Sequence, residues 1–489
     1  MPASRAAVAR RGSGISWGHI LKRWLYLIHR WIGIGSCLLF AMWFASGLVM
    51  IYVPYPSLSL SARLAGQEAI DWGRVDVAPP VDLMHPPRSL ELEMRDGHPV
   101  WRVQDWSGKR HSLSADGSPE PRVDASYAER VAYRFGHADV ADVEKVERDQ
   151  WTVAGGFNRH RPLWKISLAD PAGTQLYVSS STGGVVQSTT RTSRFWNWLG
   201  SVPHWLYPTV LRQDQGAWRQ VVLWVSGPCI AAALTGIWIG ILRTRIGERR
   251  FKGGRMTPYH GWMLWHHVAG LVGGITLTLW IFSGWLSVDP GYLFTSPDPP
   301  EGIEQHYAAG TAMPPLDLAH FGAVAQGARL ARFSVAAGLP RVTLFDPHGN
   351  RRILTLPDLA HAQPARPAIE RVARGLVPEG KLADSMLLTE PDAYYYDIGV
   401  RPQLPVLRLR FDDPARTWLY LDPVTGEVLQ GVDARRRTYR WLYDMFHKWD
   451  LNALTLHRPL WDIILWFFSL VGLVTSVTGV WIGWKRLRR

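Results

Sequence analysis

Four stretches of this 489-residue chain are long and apolar enough to cross a bilayer, and they limit the possible folds more than any other feature. Hydrocarbon about 30 Å thick takes roughly 20 helical residues. The runs 24–53, 218–242, 260–288 and 460–484 all meet that length. Lipid offers the backbone no hydrogen bonds, so each run is expected to be a helix. The mean hydropathy of the whole chain is only −0.07, so the apolar residues must be concentrated in these runs. The first run is too long for a cleaved leader, and no small-x-small site precedes a polar mature start. It is expected to remain as an anchor.

Basic residues orient the spans. Arg5, Arg10, Arg11, Lys22 and Arg23 precede the first. Arg243, Arg245, Arg249, Arg250, Lys252 and Arg255 stand between the second and third against a single acid, Glu248. Lys485, Arg486, Arg488 and Arg489 follow the fourth. The positive-inside rule makes segments 1–23, 243–259 and 485–489 cytoplasmic, with both termini inside. These fifteen cations exceed the chain's net excess of 13, so the positive charge reads as topology and no nucleic-acid partner is expected. The two long polar segments, 54–217 and 289–459, then lie outside the cytoplasm. Each mixes strand-like alternation with Pro/Gly turns and short helical patches, as expected of an α+β domain.

Cys37 and Cys229 each lie inside an apolar run, and no CxxC or CxxCH occurs. A disulfide framework, a thiolate zinc site and covalent haem attachment are therefore excluded. Both cysteines read as small buried hydrophobes.

Shifted against itself, the sequence repeats. An offset of 237 carries His29, Gly33, Trp43, Ser46 and Gly47 onto His266, Gly270, Trp280, Ser283 and Gly284. An offset of 243 carries Leu176-Tyr177, Thr182-Gly183 and Gln187 onto Leu419-Tyr420, Thr425-Gly426 and Gln430. The same offset carries Trp198-Leu199, His204 and Thr235-Gly236 onto Trp441-Leu442, His447 and Thr478-Gly479. The expected architecture is a membrane protein with four transmembrane helices in two parallel repeats. A pseudo-two-fold axis along the membrane normal should relate them. Equivalent residues then face each other across that axis.

Two histidine pairs follow from this symmetry. His29 and His266 sit near the cytoplasmic ends of the odd-numbered spans, and His204 and His447 sit outside, shortly before the even-numbered ones. Histidine at membrane depth is costly and reads as functional by default. Two imidazoles from separate helices are what a low-spin haem iron takes as axial ligands. His29 and Gly33, like His266 and Gly270, share a helix face, and glycine leaves room there for a flat macrocycle. Trp24, Trp31, Trp43, Trp262, Trp265 and Trp280 are candidates to wall the pocket, with interfacial belt or core as the more common role of such residues. The competing structural reading of each histidine is a helix–helix hydrogen bonder. Zinc fits poorly, because each level repeats two imidazoles and no carboxylate or thiolate, so no metal site other than haem iron is expected. His267 and His457 stand as alternates.

At these residues the chain resembles the PepSY-associated transmembrane family. The match runs through His29-Arg30-Trp31-Ile32-Gly33, Trp196-Asn197-Trp198-Leu199-Gly200, Pro203-His204-Trp205-Leu206-Tyr207-Pro208, Tyr420-Leu421-Asp422-Pro423-Val424-Thr425-Gly426 and Arg458-Pro459-Leu460-Trp461-Asp462. The first copy of the strand-turn-strand lacks the Asp-Pro of the second. The resemblance implies a multi-pass protein of the bacterial inner membrane with two PepSY-like periplasmic α+β domains. It also implies a link to iron uptake, because some members look like ferric-siderophore reductases carrying two non-covalent b-type haems.

The expected activity is transmembrane electron transfer through two bis-histidine haems to a periplasmic ferric chelate. The only GxG-like stretch, Gly33-Ile34-Gly35, lies inside a span and lacks the strand-turn-helix setting of a nucleotide site. A cytoplasmic-side donor, a quinol or a reductase, is therefore expected as a partner. The alternative is a non-catalytic membrane anchor or sensor whose external domains bind a peptide or protease.

Overall fold

The computed structural model of the chain describes residues 17–295 apart from 80 and 83, then 307, 311–397 and 402–489. Arg5, Arg10 and Arg11 lie outside the described residues. The chain forms two compact units. One comprises the N-terminal helix as far as Leu48, Arg219–Val288 and Arg458–Arg489, and the other comprises Val49–Trp218 and Asp289–His457.

The first unit contains four helices long and apolar enough to cross a membrane: α1 (Trp17–Met50), α2 (Gln215–Leu242), α3 (Trp262–Leu286) and α4 (Leu460–Leu487). Helix α1 starts seven residues before the expected run and takes Lys22 and Arg23 into its first turns, because no residue there breaks a helix. Phe40, Phe44, Cys229, Ala233, Leu277 and Ile281 form the unit's buried centre. Both cysteines are free and buried. Glycines let the helices approach closely, as membrane packing requires. A Cβ on Gly472 would strike the Phe44 ring, one on Gly274 would meet Ile237, and one on Gly240 would meet Leu271. Outward-facing Leu38, Trp224, Leu234 and Ile275 are exposed, as a lipid-facing surface requires.

The second unit is built on strands β1 (Ser89–Arg95), β2 (His98–Gln104), β3 (Arg110–Ser114), β4 (Val140–Val146), β5 (Leu163–Leu168), β6 (Gln175–Ser179) and β7 (Val185–Thr189) from one polar segment. The other segment adds β8 (Leu330–Ala336), β9 (Leu339–Phe345), β10 (Arg351–Thr355), β11 (Leu382–Leu388), β12 (Val406–Phe411), β13 (Trp418–Leu421) and β14 (Val428–Val432). Two four-stranded antiparallel sheets run β4-β5-β6-β7 and β11-β12-β13-β14. The helix Ala125–Gly136 covers the first through Tyr127, Ala128 and Val131. The helix Arg366–Ala373 covers the second through Ile369 and Ala373.

The third sheet joins the two polar segments, which the expected boundaries 54–217 and 289–459 treat as separate domains. Its order is β10-β9-β8-β1-β2-β3. Strands β1 and β8 pair antiparallel at its centre, with Leu90 opposite Phe333 and Glu91 opposite Arg332. Strand β1 alternates Leu90, Leu92 and Met94 with Glu91, Glu93 and Arg95, placing the two sets on opposite faces. Leu90 and Leu92 enter a core with Trp101, Phe333 and Val342. The charged face is buried as well, so its charges must be paired. Arg332 donates to Glu91 at 2.9 Å, Arg95 donates to Glu93 at 2.7 Å, and Arg63 also donates to Glu93. Burial alone pushes both carboxyls up, but Arg332, Arg102, Arg63 and Arg95 together hold them below the ordinary carboxylate range.

Candidate functional site

Two pairs of histidine rings face each other. In the helical unit His29 on α1 and His266 on α3 have ring centroids 6.3 Å apart, with ring planes at 45°. In the sheet unit His204 and His447 are 6.1 Å apart with planes at 69°. A metal lies about 2.0 Å from an imidazole nitrogen and the ring centre about 1.1 Å behind it, so two rings in trans on one ion have centroids roughly 6 Å apart. Both pairs have that spacing.

The first pair is held by the neighbouring helices. His29 Nδ1 lies 3.0 Å from the Ala232 carbonyl on α2, and His266 Nδ1 lies 2.9 Å from the Thr475 carbonyl on α4. A carbonyl only accepts, so both Nδ1 atoms carry the proton and both Nε2 lone pairs are left to bind a metal. Ala232 and Thr475 are themselves 243 positions apart. Two glycines one turn further on make this contact possible: a Cβ on Gly236 would come within 2.7 Å of His29 Cε1, and one on Gly479 would strike Cys37 and reach 3.3 Å from His266 Cε1.

Around this pair lies a cavity of about 460 Å³, lined by His29, Gly33, Ile34, Gly236, His266, Gly270, Leu271, Gly274 and Gly479 among others. That volume falls within the roughly 300–1,000 Å³ range of cofactor sites. A Cβ on Gly33 would meet nothing within 4 Å, and one on Gly270 only Thr475 at 3.8 Å, so open space stands beside each histidine's glycine neighbour. No tryptophan stands among the described residues that line the cavity. Trp24, Trp31, Trp262 and Trp265 are exposed, while Trp43 and Trp280 pack against the unit's core. Long indoles on outward faces serve a lipid interface, and the glycine faces leave the room. His267, adjacent to His266, is buried and also lines the cavity, its Nε2 3.2 Å from Thr244 Oγ1 and its ring 5.2 Å from Tyr259.

The second pair rests on short helices. Thr190 and Ser193 form a capping box that starts the helix Arg191–Leu199, and after Gly200 a single turn, Ser201–His204, presents His204. Asp433 caps the helix Ala434–Tyr439, which widens into a π turn over Arg440–Met445 before Phe446–Lys448 presents His447. Such π turns often mark functional positions. Tyr443 stacks on His447 at 5.3 Å with planes at 23°. Arg440 and Asp450, both buried, pair at 3.0 Å, and Arg440 also donates to the Ala393 carbonyl at 2.8 Å. Tyr396 donates to Asp450 as well. A cavity of about 420 Å³ lined by Tyr394, Tyr396, Arg436, Asp444 and Lys448 opens on the same segment. His457 is exposed, with its Nδ1–H donating to the Ala453 carbonyl at 2.9 Å.

The donor chemistry fits a metal that already carries an equatorial ring. Each pair offers two imidazoles, and among the described residues no three His, Cys, Asp or Glu side chains gather as a site for a free ion. Sequence reasoning missed the carbonyls of Ala232 and Thr475, the stacking Tyr443 and the Arg440–Asp450 pair. Gly236 and Gly479 appeared among the repeat identities without a role. No protein-family model and no curated protein matches the chain.

Proposed function

We propose that the chain is a transmembrane electron conduit of the PepSY-associated kind, holding one b-type haem between His29 and His266 and another between His204 and His447. The observation that carries this reading is the matched spacing of the two ring pairs, 6.3 and 6.1 Å. Held by these histidines, haem would supply one-electron redox chemistry between a quinol or reductase on the cytoplasmic side and an external ferric chelate. The protein's own part is to fix tautomers, ring orientation and dryness. Ala232 and Thr475 lock Nδ1–H, and the glycine faces of α1 and α3 give a flat ligand room.

Duplication supports the pairing. The central sheet reads as three strands from each polar segment around the β1–β8 seam. Tyr177 donates to Asp149 at 2.5 Å and Tyr420 to Asp392 at 2.9 Å, each partner displaced by 243. Ser179 Oγ accepts from Thr182 N at 3.1 Å where Asp422 Oδ1 accepts from Thr425 N at 3.2 Å, so both turns close on a glycine at positive φ, Gly183 and Gly426. A serine thus stands in for the aspartate of the second copy. The basic segments support cytoplasmic termini, and the resemblance supports an inner-membrane location.

The test is a redox spectrum of the purified full-length chain expressed with ample haem. The reading requires six-coordinate low-spin bands and close to two haems per chain. A haem-free chain that binds peptide or protease would establish the anchor reading instead.

A further inference from the structure

The cavity around His29 and His266 is lined by Arg30, Arg243 and Arg486. No Asp or Glu stands among its described lining residues. Cations grouped at an apolar cavity call for an anion, and the described lining residues supply none.

Arg243 and Arg486 are separated by 243 residues, the same interval that separates Ala232 from Thr475. Each arginine stands eleven residues beyond its carbonyl. Eleven residues are three helical turns, so arginine and carbonyl share one face about 16 Å apart along the axis. Arg243 prolongs the α2 helix, its N–H donating to Ile239 O at 3.0 Å. Helical side chains lean toward the N-terminus, so both arginines reach back toward the histidines and the cavity. Arg243 Nε donates to Tyr26 Oη at 2.8 Å and the guanidinium lies over that ring at 5.4 Å, which orients the fork. Arg30 has no charged-arginine twin, because the offset of 237 sets it opposite His267.

From this we infer that Arg243 and Arg486 bind the two propionate carboxylates of the inner haem, one each. The assignment rests on the haem reading above. A haem carries both carboxylates on one edge, either side of a line through the iron. Two histidines and two arginines related by the same duplication match that outline. A guanidinium fork suits a carboxylate in two-point contact. The carboxylate edge then points to the C-terminal ends of α2 and α4, and the rest of the macrocycle lies along the glycine faces.

The test uses the full-length chain carrying His204→Ala, so that only the inner pair can hold haem. Haem is stripped, and haem or its dimethyl ester is titrated back and followed by absorbance. With both arginines present, esterification weakens binding by about tenfold or more per carboxylate. In the double variant Arg243→Gln/Arg486→Gln haem and ester bind alike, and each single variant closes about half the gap. The pair Arg243→Lys/Arg486→Lys, which keeps the charge should the Gln pair fail to fold, shows a smaller but measurable gap. Equal binding of haem and ester with both arginines present overturns the assignment. So does a gap that persists undiminished in the Gln pair, or an arginine effect that appears only in vesicles containing anionic lipid, which would assign the arginines to lipid phosphate. If neither porphyrin binds the chain at all, it is the haem reading that fails.

Discussion

The two histidine pairs have nearly the same ring spacing and very different supports. His29 and His266 project from helices of 34 and 25 residues, and each is fixed by one carbonyl of an adjacent helix. His204 and His447 sit on pieces of four and three residues held by stacking and by a buried ion pair nearby. The lesson is that one ring spacing is reached in two ways. In the helical unit, main-chain carbonyls displayed by packed helices do the positioning. In the sheet unit a side chain, Tyr443, packs on His447.

The largest expected effect separates the pairs outright. His29→Ala removes one haem and leaves the other, and His447→Ala removes the complementary one, as read by haem stoichiometry and by which absorbance bands remain. Loss of both haems from either single variant would mean that the pairs are not independent.

Next in size, Gly236→Val places atoms where His29 now packs and is expected to weaken the inner site at least tenfold while sparing the other. Haem titration of this variant checks it, and an unchanged inner site would show that His29 is not held by α2. The counterpart for the other pair is Asp450→Asn, which strands the buried Arg440 charge. It is expected to cost about 3–5 kcal/mol. Thermal unfolding followed by release of the His204/His447 haem, with the His29/His266 spectrum intact, is the expected result.

The smallest effect is a pH dependence confined to the sheet unit. Burial, with Arg159, Arg110 and Arg102 nearby, lowers the His160 pKa from 6.5 to about 4. The native state therefore holds this imidazole neutral while the unfolded chain protonates it. Its contribution is complete above pH 6.5 and is lost as pH falls from there toward 4. His160→Gln should flatten the acid limb of a stability–pH curve in that window, and an unaltered limb would assign the slope to other groups.

Much of the site was legible because it rests on long-period features. Apolar runs of bilayer length gave the four helices, with ends off by up to seven residues, the largest shift where α1 takes in Lys22 and Arg23. The repeat offsets, 237 and 243, singled out the pairs His29/His266 and His204/His447. Choosing His266 over its neighbour His267 rested on the shared face with Gly270, and the structure turns His267 to Thr244 and Tyr259. Of the roles open to the tryptophans, belt or core matches the structure: Trp24, Trp31, Trp262 and Trp265 are exposed, and Trp43 and Trp280 pack against the core.

The sequence by itself determined which segments are apolar helices, which residues recur at fixed intervals and where charge accumulates, because each of these is local or a plain repetition. The central sheet was beyond it. Leu90 meets Phe333 across more than two hundred residues, and strand pairing at that separation depends on which faces are left to be buried once both segments have folded. The same holds for the carbonyls of Ala232 and Thr475. Every residue has a carbonyl, and only the packing of four helices decides which two of them receive the histidine protons.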